Sequence, residues 1–156
     1  TLTMDEGYRA IRWSSLVLIA GMLPIASALE KTGGNALVVG ALVETLGGAG
    51  PYAMLAVVFC LTAGLSLFLS NTATAVLVGP IAIQAAQALG AAPQAFAMVV
   101  AIAASAGFAT PIASPVVTLV VEPGKYRFVD FVKVGAPLLA VIGAVTVLVT
   151  PLVFPL

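Results

Sequence analysis

The sequence predicts an all-α polytopic membrane protein, and three observations support this fold class. Of the 156 residues, 62% are hydrophobic and 8% are charged, whereas a soluble domain has about 45–50% apolar and about 25% charged residues. The mean hydropathy is +1.19. No Lys, Arg, Asp or Glu occurs between Thr45 and Val121 or between Val134 and Leu156. Because about 20 apolar residues cross a bilayer as a helix, these stretches predict several crossings.

The charged and reactive residues exclude several classes of function. Six Lys and Arg balance six Asp and Glu, so no basic surplus is present to neutralise phosphates, and we expect no nucleic-acid partner. The chain has no His and a single Cys60, which excludes disulfides within the chain, zinc sites and Ser–His or Cys–His nucleophilic pairs. The composition therefore predicts a protein that is not an enzyme and has no organic cofactor.

The chain is predicted to begin on the membrane surface. Residues 1–13 start with a capping box, Thr3 to Glu6, and then place apolar residues on one face at helical spacing. We expect this amphipathic helix to lie along the bilayer. Residues 14–29 form the first predicted span, and a weaker apolar stretch follows at 35–46.

Residues 52–89 allow two interpretations. A polar cluster at 70–74 separates the apolar segments 52–69 and 75–89. These segments form either a re-entrant hairpin with its tip at 70–74 or two full crossings, although 75–89 is short for a crossing. The distribution of basic residues does not separate the two, since both return the chain to the same side.

The remainder is predicted as a broken span, a surface helix and a last span. Residues 94–121 are interrupted at 110–115, where two prolines cannot both lie in an undisturbed helix. Residues 126–135 are amphipathic and are predicted to lie at the interface, and 136–154 form the closing span. With three crossings and one hairpin, all the basic clusters can lie on the cytoplasmic side.

Uncharged polar groups gather at the two breaks. The first break has Ser66, Ser70, Asn71 and Thr72, and the second has Thr110 and Ser114. Hydroxyl, amide and carbonyl oxygens suit a small alkali cation. The helices that follow the breaks are predicted to have N-caps at Asn71 or Thr72 and at Ser114, which precedes Pro115. Helix N-termini attract anions, so the breaks predict a site for a cation and a doubly charged anion.

These motifs resemble those of the divalent anion/sodium symporters, which take up dicarboxylates, citrate or sulfate. The resemblance rests on Ser70–Thr74, on Thr110–Pro115 about forty residues later, and on the stretch 124–135. It implies half of a transporter built from two inverted repeats, with this chain as the C-terminal repeat and the N-terminal repeat missing. It also implies a homodimer in the bacterial inner membrane, working by alternating access.

The resemblance further implies the site residues. The sodium site would consist of Ser66, Ser70, Asn71 and the Ala113 carbonyl. The substrate would contact Asn71, Thr72, Ser114 and Pro115. Val117 stands where the family commonly has Asn. The alternatives are an arsenite or Na⁺/H⁺ carrier of the same architecture, or an inactive half-transporter that needs a partner half.

Overall fold

The computed structural model describes residues 31–110 and 123–156, together with 17, 20, 21, 24, 27, 28, 120 and 121. Their order is helix α1 (Gly34–Leu46), a short 3₁₀ helix (Gly47–Ala49), α2 (Pro51–Ser66), α3 (Asn71–Ala88), α4 (Pro93–Ser105) and α5 (Phe128–Val153). No β-strand occurs in this part of the chain, and the all-α prediction is confirmed for it. The predicted surface helix 1–13 and most of the span 14–29 lie outside the described residues.

Glycine and proline set the helix starts. Gly50 has a φ of 87°, which favours glycine, and Pro51 follows at the first position of α2. Pro93 likewise opens α4. The chain thus forms a series of short helices joined by tight connections.

The break after α2 is shorter than the sequence predicts. α3 begins at Asn71, because the Ser70 side chain is its N-cap and accepts a hydrogen bond from the Ala73 backbone N–H at 3.3 Å. The prediction of Asn71 or Thr72 as the N-cap is therefore wrong by one or two residues. The two helices form a helical hairpin whose connection is residues 67–70.

The core lies where α4 packs against both helices of this hairpin. Its largest fully buried side chains are Phe96, Met54 and Leu55. Alanines such as Ala82 and Ala103 are completely buried between them, and small side chains of this kind allow helix backbones to approach closely. α1 packs on the outer side of α3, where Val39 contacts Ile81 and Ala85.

α5 is one continuous helix of 26 residues, although the sequence predicts a surface helix at 126–135 and a separate span at 136–154. It starts where the Arg127 backbone N–H donates to the Asp130 carboxylate at 2.8 Å. The side-chain pattern changes from amphipathic to apolar along α5. This change indicates that the surroundings of the helix change from an interface to an apolar environment, while the backbone stays helical. Pro137 lies inside the helix.

Within the described part of the chain, α5 is the helix that is long and apolar enough to cross a membrane. The shorter apolar helices are Gly34–Thr45, Pro51–Ser66 and Pro93–Ser105. At 1.5 Å per residue, the 16 residues of α2 span roughly 24 Å. That length is less than the hydrocarbon thickness of about 30 Å.

Candidate functional site

The first helix break has a polar inner side and an apolar tip. Ser66 is fully buried, and its hydroxyl donates to the Ala63 carbonyl at 2.8 Å. Phe68 at the tip is 81% exposed. Ser70 and Thr72 are exposed, and Asn71 is half-buried with its Oδ1 atom enclosed. Three of the predicted polar residues, Ser70, Asn71 and Thr72, therefore lie at the start of α3, and Ser66 is the last residue of α2.

The second break begins where α4 ends at Ser105. A tight turn follows, in which the Phe108 backbone N–H donates to the Ala106 carbonyl at 2.7 Å. Ala109 and Thr110 are buried, at 6% and 7% exposure. The predicted site residues Ala113, Ser114 and Pro115, and also Val117, lie outside the described residues.

A side-chain hydrogen bond joins the two breaks directly. The Thr110 hydroxyl donates to the Leu67 carbonyl at 2.8 Å, across 43 positions of the sequence. Leu67 is the first residue after α2, where helix carbonyls lose their partners. The sequence predicts that both breaks contribute to one site, and this contact places the starts of both breaks side by side.

α5 supports the second break from its outer side. A Cβ atom added to Gly135 would lie 2.5 Å from the Phe108 carbonyl oxygen and 2.6 Å from the Ala109 Cα. Only glycine allows this approach of α5 to the turn without a shift of backbone. Gly135 therefore helps to set the position of the Phe108–Ala109 backbone, which directly precedes Thr110.

Three buried side-chain oxygens in the described part of the chain have no hydrogen-bond partner: Asn35 Oδ1, Asn71 Oδ1 and Thr74 Oγ1. A buried polar atom without a partner is destabilising, and in a native protein it often marks a bound ion, water or ligand. Sequence reasoning identified Asn71. It missed Thr74, although this residue belongs to the polar cluster 70–74, and it missed Asn35, which no motif indicates.

The chemistry available at the first break is uncharged. The described residues contain no group of three or more His, Cys, Asp or Glu that could hold a metal ion. Amide, hydroxyl and carbonyl oxygens can coordinate an alkali cation. Beside them, the first-turn N–H groups of α3 give a positive helix end that suits an anion.

A groove beside the first break is apolar. It has a volume of about 630 Å³ and runs between α2 and α5, with Ala63, Gly64 and Ala140 among its lining residues. It offers no hydroxyl, amide or charged side chain. This groove therefore lacks the polar groups that the two breaks provide.

Comparison with known proteins identifies a transporter family and several relatives named as transporters. A family model described as citrate transporter matches residues 1–101 and 53–156. An uncharacterized transporter of Escherichia coli, YfbS, is 54% identical over 97% of this chain, and an uncharacterized transporter of Synechocystis is 43% identical over 98%. Sodium/sulfate cotransporter 1 of Chlamydomonas reinhardtii is 34% identical over 87% of the chain and 16% of its own length.

The chain spans about a quarter of the length of its bacterial relatives. The aligned part is 25% of the Escherichia coli protein and 25% of the Synechocystis protein. The similarity covers both helix breaks, since it extends over nearly the whole of this chain.

Proposed function

The chain belongs to the citrate transporter family, among the divalent anion/sodium symporters, and we propose that it carries small divalent anions across the membrane together with Na⁺. It is a membrane protein of a transporter family and not an enzyme. The proposed substrates are di- and tricarboxylates or sulfate. The observation that carries the proposal is the Thr110–Leu67 hydrogen bond, which joins two polar breaks in an uncharged apolar region.

We assign the cation to the oxygens of the breaks. Ser66, Ser70 and Asn71 would hold Na⁺ together with the Ala113 carbonyl. The unpartnered Asn71 Oδ1 supports this assignment, because an amide oxygen accepts hydrogen bonds or binds cations and cannot donate. The family resemblance supports the remaining ligands.

We assign the anion to the same two breaks, at the positive N-terminal ends of the helices that follow them. Thr72 is exposed in the first turn of α3, where backbone N–H groups and the helix dipole favour negative charge. Asn71, Ser114 and Pro115 would complete the contacts, as the family resemblance implies. Because Na⁺ would lie beside the substrate, each charge would offset part of the other.

We further propose how this chain fits into a complete transporter. It would be the C-terminal of two inverted repeats in a multi-pass protein of the bacterial inner membrane that forms a homodimer. The hairpin 52–89 would be re-entrant, with its tip at the 67–70 connection instead of the predicted 70–74, and would move during alternating access. The short α2 and the fourfold greater length of the bacterial relatives support this arrangement.

The test uses the complete transporter in proteoliposomes. We expect uptake of labelled succinate, citrate or sulfate that requires an inward Na⁺ gradient, and we expect Asn71→Ala and Thr72→Ala to reduce it severely. Ser105→Ala is the control, because Ser105 is exposed and its hydroxyl bonds only its own helix, at the Ala101 carbonyl. Normal uptake in both site variants would refute the assignment. Na⁺ transport that is driven by a proton gradient and does not depend on divalent anions would favour a Na⁺/H⁺ carrier.

A further inference from the structure

The start of α5 is exposed and depends on local interactions. Tyr126 and Phe128 are each about half exposed, and Gly135 is the first residue of the helix that is buried. Pro137 has no backbone N–H, so the Lys133 carbonyl loses its usual helical partner. The turns before Pro137 therefore resemble a short helix, and short helices have little stability of their own.

The first turn of α5 is held by a cap and by a pair of aromatic rings. The Arg127 backbone N–H donates to the Asp130 carboxylate at 2.8 Å, and the Asp130 backbone N–H donates to the Arg127 carbonyl at 2.9 Å. The Tyr126 and Phe131 rings pack edge to face, with centroids 5.8 Å apart. The negative charge of Asp130 also suits the positive end of the helix. Asp130 therefore stabilises the start of α5 in two ways.

This cap lies near the contact between α5 and the second break. Gly135 follows Asp130 by five residues, which is roughly 7.5 Å along a helix axis. A cavity of about 260 Å³ is lined by both Asp130 and Phe108, so the first turns of α5 do not pack tightly on the break. At Gly135, by contrast, the α5 backbone meets the Phe108–Ala109 backbone directly. A shift at the start of α5 would therefore reach the break through Gly135.

The second break carries this position on to the hairpin tip. Phe108 and Ala109 directly precede Thr110, whose hydroxyl donates to the Leu67 carbonyl at 2.8 Å. Leu67 lies three residues before Ser70, which caps α3. A contiguous set of contacts thus leads from the cap of α5 to the helix end that we assign to the anion.

We propose that Asp130 is a positioning residue for anion binding. By capping α5 it holds Gly135 against the second break, and so it sets the position of that break relative to the hairpin tip. Asp130 acts through these contacts and not as a ligand, because a carboxylate repels a divalent anion. The proposal rests on the proposed function, since it assumes that divalent anions bind at the breaks. It gives a role to the stretch 124–135, which the site assignment does not use.

The experiment measures anion uptake by the complete transporter in proteoliposomes, with labelled sulfate, succinate or citrate. Asp130→Ala removes the cap, and we expect the half-saturating anion concentration to rise roughly fivefold, the factor for loss of a typical helix cap. The maximal rate should change less. Asp130→Glu should restore the wild-type value, because Glu is the usual partner at this position of a capping box. Glu44→Ala is the matched control, since Glu44 is an exposed carboxylate on α1.

A double-mutant cycle tests whether the cap acts through the second break. The half-saturating concentration does not depend on the amount of folded protein, so it separates positioning from a loss of fold. Thr110→Val removes the last hydrogen bond of the set, and the effect of Asp130→Ala should shrink in that background. An unchanged half-saturating concentration in Asp130→Ala, or effects of the two substitutions that simply multiply, would overturn the positioning role alone. A wild type that takes up no divalent anion would overturn the proposed function as well.

Discussion

Replacement of Thr110 by Val tests whether one hydrogen bond holds the two breaks together. Valine has a shape similar to threonine, so Thr110→Val removes the donor to the Leu67 carbonyl without opening a large cavity. The bond is 2.8 Å long and Thr110 is 7% exposed. Water therefore cannot easily replace the lost hydroxyl.

The expected magnitude follows from this burial. Leaving a buried acceptor without its donor destabilises the folded arrangement by about 1–3 kcal/mol. A change of about 1–3 kcal/mol corresponds to a factor of about 5–150 in an equilibrium constant. If the bond maintains the binding arrangement, the half-saturating concentrations of Na⁺ and substrate should both rise by about that factor.

The assay is Na⁺-driven uptake by the complete transporter in proteoliposomes, with the thermal unfolding midpoint measured in detergent. Thr45→Val is the control, because Thr45 is exposed and donates to the Ala41 carbonyl of its own helix at 2.7 Å. The reasoning fails if Thr110→Val and Thr45→Val give the same half-saturating concentrations and the same midpoint.

Two further substitutions test the packing around the site. Gly135→Ala should lower the free energy of unfolding by about 1–3 kcal/mol through overpacking against Phe108. Gly64→Ala, which meets no atom within 4 Å inside α2, should leave the thermal midpoint unchanged or raise it slightly, because alanine favours a helix over glycine. Equal midpoints would contradict the close approach at Gly135. Phe96→Ala should lower the free energy of unfolding by about 3–5 kcal/mol, because Phe96 is fully buried. Phe68→Ala, at an 81% exposed residue, should change the thermal midpoint little. Similar losses of stability in both variants would contradict the placement of the core.

The sequence predicts the all-α fold and the first break well, because both depend on local signals. Charge-free apolar segments identify the helices, and the polar cluster 70–74 identifies the interruption. The predicted start of the helix after the break is wrong because several residues of that cluster can serve as an N-cap. Ser70 is the N-cap, because its side chain accepts a hydrogen bond from the Ala73 N–H. The helix therefore includes Asn71 and Thr72.

The continuity of α5 is harder to predict. An amphipathic stretch followed by an apolar one indicates two environments, and this predicts two separate helices. Yet a proline ring removes only one backbone hydrogen bond, and packing can keep the helix intact. Gly135 and Gly143 lie against the Phe108–Ala109 backbone and the Phe59 ring, so tertiary contacts secure α5 on both sides of Pro137.

The buried oxygens of Thr74 and Asn35 show where prediction from sequence ends. Thr62 and Thr74 are both fully buried in helices of the same hairpin, although Thr74 belongs to the polar cluster 70–74. They differ only in whether the hydroxyl bonds its own helix, and that depends on side-chain rotation and on what covers it. Asn35 has still less signal, because its role depends on the packing of α1 against α3. A polar residue of a membrane helix is therefore best judged by whether its oxygen is already bonded, and Thr74 and Asn35 each have a buried oxygen without a partner.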